Sequence, residues 1–145
     1  MAETLRSRAL KLLARREHSR SELQRKLAPH AEDPSEVEQL LAELEQRGWL
    51  SEARLTEQVI HARRRRFGTR RIEHELRSRG VSEEAVAAAA PELKKSELEA
   101  ARAVWRRKFG HLPGSQAERA RQARFLQARG FDMDIVLKVI KGSDE

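Results

Sequence analysis

The chain contains no cysteine and no tyrosine, and aromatic residues make up only 4% of its 145 residues. Without cysteine it has neither a disulfide framework nor thiol chemistry, which suits a reducing compartment. No apolar run is long enough to cross a bilayer, and the charged start of the chain is unlike a secretory signal peptide. We therefore expect a cytoplasmic protein without a membrane partner.

Strand signals are equally scarce, whereas helical spacing recurs along the whole chain. β-Branched residues are sparse, and apolar residues return three and four positions apart, as on one face of a helix. Capping boxes begin at Ser19 and Ser115, and Gly48, Gly80 and Gly130 follow arginines at helix ends. The pattern predicts an all-α protein with helices at residues 3–17, 20–29, 34–47, 52–67, 70–79, 83–89, 92–109, 116–129 and 133–141.

The second and third parts of the chain repeat each other. "RRRFG" at 64–68 matches "RRKFG" at 106–110, and "ELRSRGVSEEAV" at 75–86 matches "FLQARGFDMDIV" at 125–136. The first part has the same order of a long helix, a short capped helix and a third helix. Because such units lean on their neighbours, they build elongated molecules. We predict a curved monomer of three tandem three-helix units at residues 1–50, 51–90 and 91–145.

Positive charge is concentrated in particular segments. The formal net charge is +7, and the pI is near 10.5. Residues 61–80 contain eight basic residues against two acids, and residues 102–129 contain eight against one, whereas residues 32–57 reverse the balance. This segregation favours nucleic acid or an acidic protein surface as the partner.

Four consecutive arginines occupy positions 63–66. At about 100° per residue they cover most of a helix circumference, so they cannot all share one role. The spacing of Ile60 and Phe67 places Arg63 near the buried face, where its stem can lie along apolar surface. The same spacing turns Arg64 and Arg65 away from that face, towards a partner.

The next helix is predicted to present a basic row. The spacing of Ile72 and Leu76 turns Arg70, His74 and Arg77 outward. A solvated basic face is the alternative interpretation of these segments. The residues that we predict to contact nucleic acid or a protein filament are Arg64, Arg65, Arg66, Arg70, Arg71, Arg77, Arg106, Arg107, Lys108, Arg121 and Arg124.

No residue pattern of enzymatic chemistry is present. The five histidines have no HExxH spacing and no cysteine to complete a metal site. The two glycines of "FGHLPGS" at 109–115 fit neither a phosphate-binding loop nor a dinucleotide fingerprint. We therefore predict a non-enzymatic protein with no metal and no cofactor.

Two other protein classes stay open. Residues 19–52 look like a helix-turn-helix that leads into a wing, as in a winged-helix transcription regulator that binds specific DNA sequences. A wing requires two strands and a tight turn, whereas the next segment has helical periodicity, and the presumed reading helix at 34–47 is acidic. A purely structural helical adaptor is the second alternative.

Three stretches carry a resemblance to a known family. They are "ALKLLARREHSRSELQRKL" at 9–27, "RGWLSEARLTEQVIHARRRRFGTRRIEHELRSRGV" at 47–81, and "RRKFG" with "RFLQARGF" between 106 and 131. Over essentially its whole length the chain resembles the RecX regulatory proteins of bacteria. It departs from them at Ser51, where an acidic residue is usual, and in a long insertion at 110–122.

The resemblance implies a helical modulator of the RecA recombinase. Such a protein lies in the groove of the RecA–DNA filament and hinders strand exchange, ATP hydrolysis and co-protease activity. These are activities of recombination, DNA repair and the SOS response. The implied partners are the RecA filament and single-stranded DNA, and double-stranded DNA is left open. Inhibition by capping filament ends and a stimulatory role are left open too.

Overall fold

The computed structural model describes residues 3–142, and this part of the chain forms eight α-helices, a short 3₁₀ turn and no strand. The predicted units begin at residue 1 and end at residue 145, and both of these residues lie outside the described part of the chain. None of the described helices is both long and apolar enough to cross a membrane. The helices are α1 (Leu5–Arg15), α2 (Arg20–Leu27), α3 (Pro34–Gln46), α4 (Glu52–Arg63), α5 (Thr69–Ser78), α6 (Glu83–Lys108), α7 (Gln116–Ala128) and α8 (Met133–Lys141), and the 3₁₀ turn is Ala28–His30.

Three separate hydrophobic cores follow one another along the chain. The first lies between α1, α2 and α3 around Leu23 and Leu41. The second joins α4, α5 and the first half of α6 around Leu76 and Leu93. The third joins the rest of α6 with α7 and α8 around Leu126. The prediction of an all-α chain of three tandem three-helix units is therefore confirmed.

The prediction of two helices at 83–89 and 92–109 is wrong, because α6 runs unbroken through both segments with Pro91 in its interior. Proline removes one helical hydrogen bond, that of the Ala87 carbonyl, and typically costs about 3 kcal/mol. Both residues are exposed, so water can reach the freed carbonyl. Helix α6 also buries Leu93 in the second core and Val104 in the third, and this apolar burial offsets the cost of the proline. The predicted division after residue 90 thus falls inside a shared helix.

Helix ends follow the predicted signals. Ser19 and Glu22 form a complete capping box at α2. Gly80 and Gly130 end α5 and α7 with φ of 85° and 94°, a left-handed conformation that favours glycine. The first unit has Ala31 at this place and ends α2 with the 3₁₀ turn instead, so that Ala31 keeps an ordinary φ of −96°.

The aromatic residues of the third unit differ in burial. The sequence predicts burial of Trp105, Phe109, Phe131 and Val136. The prediction holds for Phe131 and Val136, whereas Trp105 and Phe109 are only partly buried. The indole of Trp105 donates a hydrogen bond of 2.9 Å to the side-chain oxygen of Gln122, which is fully buried. Trp105 therefore lies at a polar seam between α6 and α7 rather than in the centre of the core.

One glutamate connects the second unit to the first through two hydrogen bonds. The carboxylate of Glu52, at the start of α4, accepts a hydrogen bond of 3.1 Å from the backbone N–H of Arg20 in α2. It also accepts one of 3.0 Å from the backbone N–H of Ser82, which caps α6. A single side chain thus connects the beginnings of two helices from different units.

The same arrangement joins the second and third units. The carboxylate of Glu97 accepts hydrogen bonds of 3.4 Å from the N–H of Thr69 in α5 and of 3.3 Å from the N–H of Asp132, which caps α8. At this junction the backbones of Gly68 and Gly130 touch, and a Cβ added to Gly68 would lie 2.3 Å from the carbonyl carbon of Gly130. Only glycine fits such an approach.

Gly130→Ala tests the second junction. The added Cβ would lie 2.6 Å from the Cβ of Arg71, on a backbone that already has positive φ. We expect the free energy of unfolding to fall by about 3 kcal/mol, from left-handed strain and overpacking together. Gly48→Ala is the matched control, because Gly48 has φ of +76° and no neighbour within 4 Å. Equal losses in urea denaturation would show that the contact with Arg71 is unimportant.

Glu97→Gln tests the buried carboxylate through pH. Glu97 is 3% exposed, and burial raises its pKa even though the backbone hydrogen bond from Asp132 opposes the shift. A raised pKa favours the protonated form in the fold, so wild-type stability falls as pH rises above about 4.3, the ordinary glutamate value. Glutamine does not titrate. We expect the stability of the variant relative to wild type to increase from pH 4.5 to 8, and a constant difference would refute the raised pKa.

Candidate nucleic-acid interface

The second junction gathers basic and aromatic side chains from the loop after α4 and from α5, α6 and α7. The loop after α4 brings Phe67 beside the end of α7, since the N–H of Gly68 donates a 2.7 Å hydrogen bond to the carbonyl of Arg129. The guanidinium carbon of Arg129 then lies 5.5 Å from the ring centre of Phe67 and 5.0 Å from that of Phe125. We define the junction cluster as Arg66, Phe67, Arg71, Arg107, Lys108, Phe125 and Arg129.

Cations lie over both aromatic rings of the junction cluster. Arg71 is 4.2 Å from the ring centre of Phe67, and the Lys108 ammonium is 5.3 Å from that of Phe125. Phe109 meets the ring of Phe125 edge-on, with centres 5.5 Å apart. Cation–π attraction holds charged groups in place without neutralising them. The rings therefore position the cations, and Phe125 has a packing role.

An open depression of about 340 Å³ lies in the junction cluster. Four cations line it together with Phe125 and Val104, and no carboxylate does. Within residues 3–142 none of these four cations takes part in an ion pair. The uncompensated charge makes the depression suited to an anion. The four cations are Arg66, Arg107, Lys108 and Arg129.

Arg64 has a different position from the one that the sequence predicts. Its guanidinium does not point away from the core but is half-buried between α4 and α6, where it donates to the Ser96 hydroxyl at 3.0 Å and to the Leu93 carbonyl. Burial lowers the pKa of Arg64. The prediction that its head extends towards a partner is wrong, because α6 covers this flank of α4 and the helical spacing of α4 alone cannot reveal that.

The other arginines of the run are placed as predicted. Arg63 is partly buried and structural, since its Nε donates a 2.8 Å hydrogen bond to Glu75. Arg65 and Arg66 are exposed. The backbone carbonyl of Arg65 accepts a hydrogen bond from Arg107, which ties the loop after α4 to the end of α6.

The row on α5 is exposed, as predicted, but its arginines have acidic partners. The side chain of Arg70 is 78% exposed and donates to Asp132 at 2.5 Å. Arg77 pairs with Glu83 at 3.0 Å, and this hydrogen bond raises its pKa. Exposed pairs of this kind contribute little because water screens them, so a stronger anion can displace the carboxylates. The row on α5 therefore attracts an anion less strongly than the junction cluster does.

Three further predicted contact residues also lie outside the junction cluster. Arg106 is exposed but is turned by about 100° from Arg107 around α6, away from the depression. Arg121 is exposed one helical turn before Phe125 and so shares its side of α7, at the edge of the cluster. Arg124 is exposed on the neighbouring outer face.

Three members of the junction cluster, Phe67, Phe125 and Arg129, were not among the predicted contact residues. Phe67 was assigned to the inner face of its helix, and Arg129 to the end of α7. The signal that could have indicated them is the repeat itself. An arginine–glycine pair at 79–80 and 129–130 and an "RRxFG" loop at 64–68 and 106–110 occur at equivalent places in two units. Equivalent loops and helix ends meet where tandem units dock.

Comparison with protein families gives three matches in chain order. The family model of the first RecX three-helix domain matches residues 6–44, and that of the second matches residues 51–89. The model of the third RecX three-helix domain matches residues 95–140. Together the three matches cover most of the chain.

Relatives with high sequence identity extend over nearly the whole chain. The chain is 52% identical over 141 residues to the regulatory protein RecX of Leptothrix cholodnii, a match that covers 97% of this chain and 90% of the relative. It is 49% identical to the regulatory protein RecX of Ralstonia nicotianae, with 97% and 89% covered. It is 42% identical to that of Neisseria gonorrhoeae, with 96% and 90% covered.

Solved structures share the fold. The crystal structure of RecX from Lactobacillus salivarius matches with a TM-score of 0.83 at 16% identity, covering 97% of this chain and 94% of the other. A second RecX crystal structure matches with a TM-score of 0.73 at 20% identity, covering 96% and 72%. With the three domain matches and the close relatives, these findings show that the chain belongs to the RecX family of regulatory proteins.

Proposed function

We propose that this chain binds the RecA–DNA filament in the cytoplasm, mainly inhibits RecA, and contacts DNA through the junction cluster. The observation that supports the DNA contact is the depression lined by four cations and no carboxylate. Family membership supports RecA as the partner. The chain makes and breaks no bond in this proposal, because a protein that occupies the filament groove can hinder ATP hydrolysis through filament geometry alone.

The junction cluster fits a phosphate backbone better than bases. Cations fixed over aromatic rings offer several positive groups within one depression, as a chain of phosphates requires. Phe125 has cations over its ring and Phe109 at its edge, so little of the ring is left for a base to stack on. Binding should therefore be independent of sequence and strongly dependent on salt, unlike that of a winged-helix regulator.

The double variant Arg66→Ala, Lys108→Ala tests the DNA contact. Each lost phosphate contact on single-stranded DNA should lower the salt slope of binding by about 0.7, so we expect a decrease of about 1.4. Fluorescence anisotropy with a labelled oligo-dT at several salt concentrations measures it. The control is Arg25→Ala, Lys94→Ala, which removes two exposed cations elsewhere. An unchanged slope in the cluster variant would show that the cluster is a solvated face.

The same variants test the link to RecA. With RecA on single-stranded DNA, we expect the wild-type chain to slow ATP hydrolysis and the cluster variant to require a higher concentration for the same effect. The triple variant Arg65→Glu, Arg70→Glu, Arg77→Glu reverses the charge of the exposed arginines on and near the α5 row. The concentration that it needs to slow ATP hydrolysis is compared with that of the cluster variant. If the wild-type chain leaves the RecA ATPase unchanged at saturating concentration, RecA modulation is the wrong function for it.

Phe125→Leu distinguishes packing from base stacking. Leucine keeps an apolar contact with the third core but removes the aromatic ring. Loss of a stacked base would cost about 1–3 kcal/mol of single-stranded DNA affinity. Because cations already lie over this ring, we expect the affinity for oligo-dT to change by at most about threefold. A decrease of about tenfold or more, with the thermal midpoint unchanged, would assign a stacking role to Phe125.

A further inference from the structure

A long groove runs between α4 and α6 and meets the depression of the junction cluster at Arg107. Its central part has a volume of about 700 Å³ and shares Ile60 and Glu92 with one adjoining depression and Arg64 and Ser96 with another. The three depressions therefore form one continuous groove. Along α6 it extends from Ala85 to residue 107, which corresponds to roughly 33 Å at the helical rise per residue.

The floor of the groove is apolar and made of short side chains. Ile60 and Ala89 are each 8% exposed, and Ala88 forms part of the wall. Thr56 is 5% exposed, lines the same part, and has a hydroxyl without a hydrogen-bond partner within the described residues. Short side chains allow the backbone of another helix to approach closely, as in helix-in-groove recognition.

One end of the groove is basic. Arg64, Arg65 and Arg107 line it together with Ser96. The half-buried guanidinium of Arg64 has hydroxyl and carbonyl partners but forms no ion pair within residues 3–142. Because the charge of Arg64 is not neutralised by an ion pair, it adds to the charges of Arg65 and Arg107 and attracts a carboxylate to this end of the groove.

Carboxylates along the rim distinguish this groove from the depression of the junction cluster. Glu57 and Glu92 line its centre, and Glu99 lines its basic end. A nucleic acid strand laid along the groove would bring its phosphates against these three carboxylates, which repel them. A helix that carries its carboxylates only at the basic end avoids Glu57 and Glu92, and at that end three arginines outnumber Glu99. Its apolar face can then lie over Ile60 and Ala89.

We propose that the groove between α4 and α6 binds an amphipathic helix of a protein partner, with the helix's carboxylates at the end formed by Arg64, Arg65 and Arg107. This inference rests on the proposed function in one respect, namely that the helix belongs to the filament protein. The chain then has two separate contact surfaces. The groove contacts protein, the junction cluster contacts DNA, and Arg107 lies between them.

Ala88→Trp tests the groove and Ala87→Trp is its matched control. Both alanines are exposed neighbours on α6, but only Ala88 lines the groove. We expect Ala88→Trp to raise the concentration needed to inhibit the RecA ATPase by about tenfold or more, the loss expected when a central contact is blocked. Its oligo-dT affinity and thermal midpoint should equal those of the control. Inhibition at the wild-type concentration would overturn the proposal.

A probe peptide tests the groove without RecA. The probe is a fluorescein-labelled amphipathic helix of about 22 residues, long enough to fill the groove, with leucines on one face and glutamates near one end. We expect the wild-type chain and Ala87→Trp to bind it and Ala88→Trp to bind at least about tenfold more weakly, with oligo-dT unable to displace it. Equal binding by all three proteins, or displacement by oligo-dT, would overturn the groove assignment. If this assay succeeds while RecA is unaffected, only the proposed function fails.

Discussion

The fold depends on a carboxylate that connects two helix beginnings. The first N–H groups of a helix have no partner within it and carry partial positive charge, so one carboxylate can hold the beginnings of two helices together. Glu52 does this between the first and second units, and Glu97 does it between the second and third. Glycines lie at both contacts. Gly68 and Gly130 let two backbones touch between the second and third units, whereas Gly80 packs against the side chains of Ser19 and Ser21 between the first and second.

This docking geometry places the charge on the surface. It sets the loop after α4 against the end of α7, where cations collect over aromatic rings without acidic partners. Elsewhere many arginines of the chain pair with nearby glutamates or aspartates, as Arg70 does with Asp132. Net charge alone would not distinguish these regions. The local absence of carboxylates does, because an unpaired cluster offers its full charge to an incoming anion.

The long helix α6 connects the two proposed contact surfaces. It belongs to the cores of both the second and the third unit, forms one wall of the groove, and ends at Lys108 in the junction cluster. A continuous helix transmits position rigidly, so a partner bound along the groove and a strand bound at the cluster would be held in fixed register. Such a clamp on protein and DNA together is a physical route by which the proposed binding would hinder the RecA filament without a chemical step.

The sequence by itself determined the helical class, the capping signals, the three units and the outward row on α5, because periodicity and caps are local properties of the chain. It also carried the family resemblance. Only the tertiary structure decided that Pro91 lies inside one helix, that Arg64 is covered by α6, and that Arg129 stands beside Phe67. Helical spacing tells which side of a helix is apolar, but not which other helix covers its flank. That depends on backbone contacts between distant units, such as the one between Gly68 and Gly130.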